Sequence, residues 1–293
     1  MNNTKKILIT GKDSYIGAAV QAWLLAKKQH YIVDELCLKD NSWKDADFSA
    51  YDAVFHVAGI AHSDTGNADD EEVQRYYKVN TDLTVAVAKK AKRSGVGQFI
   101  FMSSMIVFGA SAPIGTLKRI NAETTPKPLN FYGDSKLQAE IGLATVAAKD
   151  FKIAIIRPPM VYGKNVRGNY PRLAKIASSL SVFPAIANER SMIHIDNLCE
   201  FIYLIIKDKA HGTFHPQNSE YVSTANMVKS IGKAHNKQIR LIKTTGFVLK
   251  QFAKVVGSIN KVFGNFSYDM SMSEYSENYR VRSFEESIEL TEK

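Results

Sequence analysis

Tyr132 and Lys136 lie four residues apart in Tyr132-Gly133-Asp134-Ser135-Lys136, so on a helix a phenol and an ammonium share one face. An unperturbed phenol titrates near ~10, and a nearby cation brings such a group within reach of proton exchange at neutral pH. Alone, this spacing is common on protein surfaces. It gains weight from Phe101-Met102-Ser103-Ser104, one crossover upstream at the end of an expected strand. Two further segments fall in order with it, Asp52-Ala53-Val54-Phe55-His56-Val57-Ala58-Gly59 and Tyr77-Lys78-Val79-Asn80. A second constellation opens the chain, Thr10-Gly11-Lys12-Asp13-Ser14-Tyr15-Ile16-Gly17. There Gly11 suits a tight turn and Gly17 close helix packing, while the N–H groups that begin a helix attract a pyrophosphate. Ser14 stands where such turns carry their middle glycine, at the closest approach of backbone to phosphate.

Positioning these groups requires a sheet. Strand-like segments at 6–10, 32–38, 53–57, 98–102 and 152–156 alternate with helical spacing over 15–28, 71–93 and 135–148. That is the pattern of an α/β doubly wound fold, a parallel sheet covered by helices. Ligands of such sheets bind outside the carboxyl ends of the strands, so the loops at Gly11, Gly59, Ser103 and Arg157 are expected at one crevice. Beyond Gly163 the rhythm breaks into loops and helices, with 196–207 and 247–263 the clearest helical patterns. The expected division is a first domain over 1–163, joined by part of 195–218, and a smaller C-terminal lobe over 164–293.

With 293 residues, 45% apolar and 23% charged, the chain is neither disordered nor collagenous. The longest apolar stretches, 53–61 and 201–206, fall short of the ~20 residues of a membrane span. The apolar run Ile7–Thr10 is too short for a secretory signal, so the cytoplasm is expected. Cys37 and Cys199 lack metal-ligand spacing, and no metal is expected. The net charge of +9 is concentrated in residues 151–266, which hold 17 Lys and Arg against 5 Asp and Glu. No zinc finger, RNA-binding aromatic motif or basic arm accompanies it, so nucleic acid is not the expected partner, and a phosphate-bearing small molecule is. In 247–263, Val248, Phe252, Val255, Val256, Ile259 and Phe263 alternate with Lys250, Lys254 and Lys261. The segment reads as an amphipathic helix packed on its own protein in preference to a membrane-surface helix.

In their order these motifs resemble the extended short-chain dehydrogenase/reductase family, the NAD-dependent epimerase/dehydratase group acting on nucleotide sugars, over nearly the whole chain. The resemblance implies a Rossmann-type sheet that binds NAD(P) in the first domain, with a substrate-binding lobe after it. By it, Tyr132 is the catalytic acid/base, Lys136 lowers the phenol's pKa and binds the nicotinamide ribose, and Ser104 hydrogen-bonds the reacting sugar oxygen. It implies a dinucleotide site of Gly11, Ser14, Tyr15, Ile16, Gly17, Lys39, Ala58, Gly59, Asn80, Ser103 and Pro159 beside Tyr132 and Lys136. Arg157-Pro158-Pro159-Met160-Val161-Tyr162-Gly163 resembles the family's passage into the substrate lobe. Asn169 matches a sugar-nucleotide contact, and Arg190, which opens Arg190-Ser191-Met192-Ile193-His194-Ile195-Asp196, an arginine that holds the diphosphate. Arg167, Arg172 and Arg282 read as solvated, His56 as a satisfied core histidine and His62 as a loop histidine. A homodimer through helices 71–93 and 135–148 is common in the resembling family.

Within that group, dehydratases place an Asp–Glu pair directly after the Ser/Thr, where this chain has Met105 and Ile106, so elimination of water is not expected. Ser104, Tyr132 and Lys136 suffice for a 4-keto reductase or a 4-epimerase with bound NAD. The strand end without acids looks most similar to reductases of UDP-linked 4-keto-6-deoxy-HexNAc sugars in bacterial surface-polysaccharide synthesis. A non-catalytic dinucleotide sensor has Ser14 as its support. Lys39-Asp40 follows the second strand, with Asp34 and Glu35 inside it. If Lys39 points inward, NADP(H) is favoured over NAD(H).

Overall fold

The computed structural model describes residues 4–28, 30–61, 68–243 and 263–293. In chain order it includes β1 (Lys5–Thr10), α1 (Tyr15–Leu25), β2 (Tyr31–Leu36), β3 (Ala53–His56), α2 (Asp70–Tyr76), α3 (Leu83–Arg93), β4 (Gln98–Met102), α4 (Phe131–Val146), β5 (Lys152–Ile156), α5 (Asn169–Ser179), α6 (Ile195–Lys207), β6 (Gly212–Phe214), α7 (Thr224–Ala234) and α8 (Phe284–Glu292). Two compact units result. One comprises residues 1–109, 125–158 and 198–216, and the other residues 110–124, 159–197 and 217–293.

The first unit is built on a six-stranded parallel sheet of order β6-β5-β4-β3-β1-β2. From β1 the chain first adds β2 on one side and then β3 on the other. The carboxyl ends of β1 and β3 therefore diverge into the crevice where such sheets take ligands. Register aligns Leu8, Val54, Phe99 and Ile153 in one row and Thr10, His56, Phe101 and Ile155 in the next. The first row packs against Val87, Ala88 and Ala91 of α3 and Ala139, Leu143 and Val146 of α4. On the opposite face Ile9 meets α1, which is joined to α6 by a 2.7 Å bond from Trp23 Nε1 to Glu200. Helices on both faces explain why these strands read as apolar runs.

Two helices depart from their expected bounds for local reasons. The helical pattern over 71–93 is realised as α2, a wider π turn over Tyr77–Asp82, and α3. The extra residue in that turn rotates Asn80 inward to full burial. Helix α4 starts at Phe131 because the Asn130 side chain accepts the Gly133 N–H at 2.8 Å. Tyr132 thus lies in the first turn of α4 and Lys136 one turn further on.

In the second unit, 160–162 pairs in parallel with 192–194 and 182–184 with 240–242. Tyr162, Phe183, Met227, Phe263 and Ile288 fill its core. The Tyr162 hydroxyl is shared between Ser287 at 2.5 Å and Asn218 at 2.9 Å. His62 and, apart from Phe263, the helix expected over 247–263 lie outside the described residues. Among the described residues no helix is long and apolar enough to cross a membrane, and no His, Cys, Asp and Glu cluster could hold a metal ion.

His56 is fully buried and fully bonded, as a core histidine should be. Thr84 donates its hydroxyl proton to Asn80 O at 2.8 Å, so its oxygen accepts from His56 Nε2 at 2.9 Å, and Nδ1 accepts from Thr10 Oγ1 at 2.7 Å. The ring is neutral, held down to about 3 by burial and secondarily by Lys136. An unfolded histidine takes up a proton near ~6.5 and this one does not. Its contribution is complete above that pH and is lost as pH falls toward the folded value. His194 and His215, each held to about 4 mainly by burial, act in the same sense. Between pH 6 and 4.5, His56→Gln should flatten the fall of unfolding free energy by about 1 kcal/mol per pH unit, measured by urea titration. Parallel curves for the two proteins would show that His56 is not held neutral.

Candidate active site

At the end of β1, Gly11 has φ +113°, and a Cβ there would lie 2.7 Å from Ala58 N. This turn presses against 57–58, whose N–H groups donate to Thr10 O at 3.0 and 2.9 Å. Only glycine fits both the dihedral and the gap. Ser14 is extended (φ −75°, ψ 141°), a conformation open to any residue, and its Oγ accepts the Gly17 N–H at 3.1 Å. The serine caps α1 and occupies one N–H group that an anion would otherwise use. No acidic side chain lies in the first turn of α1, which begins with Tyr15 and Ile16.

Across the crevice, the Tyr132 hydroxyl is hydrogen-bonded by Ser104, and the Tyr76 ring meets Tyr132 edge-on at 6.1 Å. Burial pushes the phenol above its ordinary pKa, with the Ser104 bond opposing, so at neutral pH Tyr132 carries its proton. Lys136 is buried, donates from Nζ to Met102 O at 2.9 Å and lies 4.8 Å over the Phe101 ring. Burial brings it down to about 8 and the Glu140 carboxylate works against that. A Cβ on Gly59 would come within 3.0 Å of both Lys136 Nζ and Asn80 Oδ1, so this glycine gives both polar groups their room.

Asn80 accepts from Ile60 N at 2.8 Å and donates to Ile60 O at 3.1 Å and Ser135 Oγ at 3.0 Å. Ser135 in turn donates to Tyr132 O at 2.9 Å. The loop after β3, the π turn and α4 are thereby one bonded assembly. Ser135 was missed in the sequence although it lies between Tyr132 and Lys136. So was the group beside Ser103, whose hydroxyl bonds Glu140 Oε1 at 2.5 Å while Arg157 grips both Glu140 oxygens at 3.0 and 2.5 Å. With its oxygens so engaged, Glu140 is no free acid, and Met105 and Ile106 occupy the turn after Ser104.

Gly11, Ser14, Tyr15, Ile16, Gly17, Ala58, Gly59, Asn80, Ser103, Ser104, Tyr132 and Lys136 belong to the first unit and lie at or beside the carboxyl ends of its strands. Lys39 is exposed beyond the end of β2. Within β2, Asp34 accepts from the Tyr51 hydroxyl at 2.9 Å, and a buried carboxylate oxygen of Glu35 has no partner. Pro159, Asn169 and Arg190 belong to the second unit. Asn169 opens α5; Arg190 donates to Gly264 O at 3.3 Å, with burial lowering its pKa. Arg282, expected to be solvated, pairs with Asp196 at 2.8 Å. The glycine turn, the α1 N-terminus and the unpartnered Glu35 oxygen fit an extended anionic dinucleotide with ribose hydroxyls to donate.

The model of the NAD dependent epimerase/dehydratase family matches residues 7–217. A UDP-glucose 4-epimerase of Vibrio cholerae is 30% identical over 294 residues, spanning 91% of this chain and 88% of that one. An N-acetyl-alpha-D-glucosaminyl-diphospho-ditrans,octacis-undecaprenol 4-epimerase of Escherichia coli O157:H7 is 28% identical over 253 residues, 80% of this chain and 73% of its own. Among solved structures, a UDP-N-acetylglucosamine 4-epimerase from Bacillus cereus superposes with TM-score 0.74 at 17% identity, covering 98% of this chain and 97% of that one. A dTDP-4-dehydrorhamnose reductase from Clostridium acetobutylicum does so with TM-score 0.71 at 18% identity, covering 97% of each. These two likenesses concern the fold.

The Ser14 cap yields opposed effects on stability and binding. Ser14→Gly should cost a few tenths of a kcal/mol, against about 1 kcal/mol for Ser14→Ala. Ser14→Gly should also tighten dinucleotide binding several-fold by releasing the Gly17 N–H. Calorimetric titration with NAD and NADH beside thermal melts would check both, and unchanged affinity would mean that the capped N–H plays no part in binding.

Proposed function

The chain belongs to the NAD dependent epimerase/dehydratase family, and we propose that it reduces the 4-keto group of a UDP-linked 4-keto-6-deoxy-HexNAc sugar, the product being a building block of surface polysaccharide. The observation that carries this reading is the Tyr132 hydroxyl bonded to Ser104 in the first turn of α4, one turn before the buried Lys136 and beside a strand end whose next residues, Met105 and Ile106, are not acids. A phenol so placed can give a proton to a carbonyl oxygen that becomes a hydroxyl. Bound reduced nicotinamide supplies the hydride. Ser104 orients the oxygen, Tyr132 Oη gives up its proton to it, and the Lys136 ammonium stabilises the phenolate that remains. Asn169 and Arg190 are the proposed contacts to the sugar nucleotide, with the arginine on the diphosphate.

Glu35 supports NAD(H) as the nucleotide to test first, because its unpartnered oxygen suits a ribose hydroxyl and repels a 2′-phosphate. The exposed Lys39 supports NADP(H). A 4-epimerase with retained NAD is the second reading, favoured by the 30% identity to a UDP-glucose 4-epimerase. There the same phenol must first act as base.

Purified protein mixed with a UDP-4-keto-6-deoxy-HexNAc, generated in situ, should consume NADH or NADPH stoichiometrically by loss of nicotinamide absorbance. Tyr132→Phe should lose at least tenfold in turnover, with dinucleotide affinity kept. Interconversion of UDP-hexose or UDP-HexNAc C4 epimers without added reductant would replace the reductase with the epimerase. An unaffected Tyr132→Phe would remove both.

A further inference from the structure

Glu140 is buried, two helical turns from Tyr132 and one from Lys136 on α4, and touches none of the groups assigned to proton transfer except through intermediaries. Its Oε1 takes the Ser103 hydroxyl at 2.5 Å, and Arg157, at the carboxyl end of β5, binds both of its oxygens. Ser103 follows Met102, whose carbonyl accepts from Lys136 Nζ, and precedes Ser104, which bonds Tyr132. Ser103 N is itself tied to Ile156 O at 2.8 Å, next to Arg157. A buried ion pair of this kind is a weak source of stability, because desolvation offsets most of its attraction. Its placement suggests another role.

We propose that Glu140 and Arg157 form a positioning pair that acts through Lys136 and Ser103, pinning the end of β4 to which the ammonium is bonded and setting the charge that the ammonium experiences. The idea rests on the reading of Lys136 as the cation that serves Tyr132. Among the described residues, the titratable and charged groups near Lys136 are Glu140, one turn along α4, and His56 on β3, with Tyr132 and Asp134 also on α4, Tyr77 on the π turn and Arg157 after β5 beyond them. Asp134 is bonded by the Tyr77 hydroxyl at 2.6 Å, and His56 is neutral with both nitrogens engaged. The Glu140 carboxylate is the group that raises the ammonium's pKa, against burial, and Arg157 is bonded to both oxygens of that carboxylate.

The two members therefore act in opposite directions. Glu140→Gln keeps an acceptor for Ser103 but leaves the Arg157 cation uncompensated, so Lys136 should release its proton at lower pH. Arg157→Gln leaves the carboxylate unopposed, so Lys136 should hold its proton to higher pH. Two readouts apply. The pH dependence of trace acetylation of Lys136 by acetic anhydride, followed by mass spectrometry of its peptide, reports the ammonium without substrate. Its midpoint, expected at about 8 in the wild type, should move down by about one pH unit or more in Glu140→Gln and up in Arg157→Gln. The basic limb of kcat/KM should move with it.

Loss of one partner from a buried pair can prevent folding, so Glu140→Gln with Arg157→Gln is the accompanying variant. It keeps a neutral hydrogen-bonded pair and should bring the midpoint back toward that of the wild type from either single variant. If one single variant does not fold, the remaining single variant and the double variant still have opposed expectations. Midpoints that stay at the wild-type value, or shift the same way in both single variants, would overturn the proposal and leave a purely structural ion pair. Shifted midpoints in a protein that turns over no nucleotide sugar would uphold the pair and overturn the functional reading. Turnover with unmoved midpoints would do the reverse.

Discussion

The burial of one ammonium organises the first unit. Lys136 has lost most of its water, and an unpaired charge in such a place would be lost by deprotonation. What keeps it is the Met102 carbonyl, which accepts from Nζ at the end of β4, together with the face of Phe101 beside it and the charge of the Glu140 carboxylate one turn along α4. Each fixes an element. The carbonyl ties α4 to the strand end, Phe101 stands in the row with Thr10 and His56, and Glu140 ties α4 and Ser103 to Arg157 after β5. Gly59 leaves the remaining side open, since a Cβ there would occupy the space of Nζ.

The π turn belongs to the same constraint. An unbroken helix from Asp70 to Arg93 would carry Asn80 at another angle, and its amide would lose the Ile60 backbone and Ser135 together. Widening a single turn costs regular helical bonds. The return is a side chain that satisfies both polar groups of Ile60 and, through Ser135, the first turn of α4. Thr84 and His56 extend this assembly to Thr10, the residue before the glycine turn. A hydrogen-bonded path thus joins the residue before Gly11 to the helix that carries Tyr132.

Much of the sheet was legible because parallel strands covered on both faces leave uninterrupted apolar runs. Strands β4 and β5 have the bounds expected from 98–102 and 152–156. Helix ends were less legible, since they are decided by single side chains. Asn130 moved the start of α4 to Phe131, and α1 stops at Leu25, short of the expected Lys28. The π turn could not be seen because one added residue barely disturbs an apolar period read over two dozen positions. Tyr132, Lys136 and Ser104 were visible through spacing and order. The pairing of Glu140 with Arg157 was not, although Arg157 was expected at the crevice, because the two stand 17 positions apart in the chain and are brought together by the passage from α4 into β5.

Within the proposed reaction, direction is a matter of resting protonation and of grip on the nucleotide, neither of which the sheet dictates. A retained cofactor that cycles between oxidised and reduced forms calls for every donor at the α1 N-terminus and a phenol ready to accept a proton. This chain has Ser14 on the Gly17 N–H and burial raising Tyr132. In the proposed reduction, the first is compatible with a cofactor that leaves after one hydride transfer and the second with a phenol that gives its proton first. The Glu140 carboxylate fits that direction, because an ammonium kept charged stabilises the phenolate formed by proton donation. Reduction would then follow from local electrostatics around Tyr132 on a scaffold that the 4-epimerase and ketoreductase structures share.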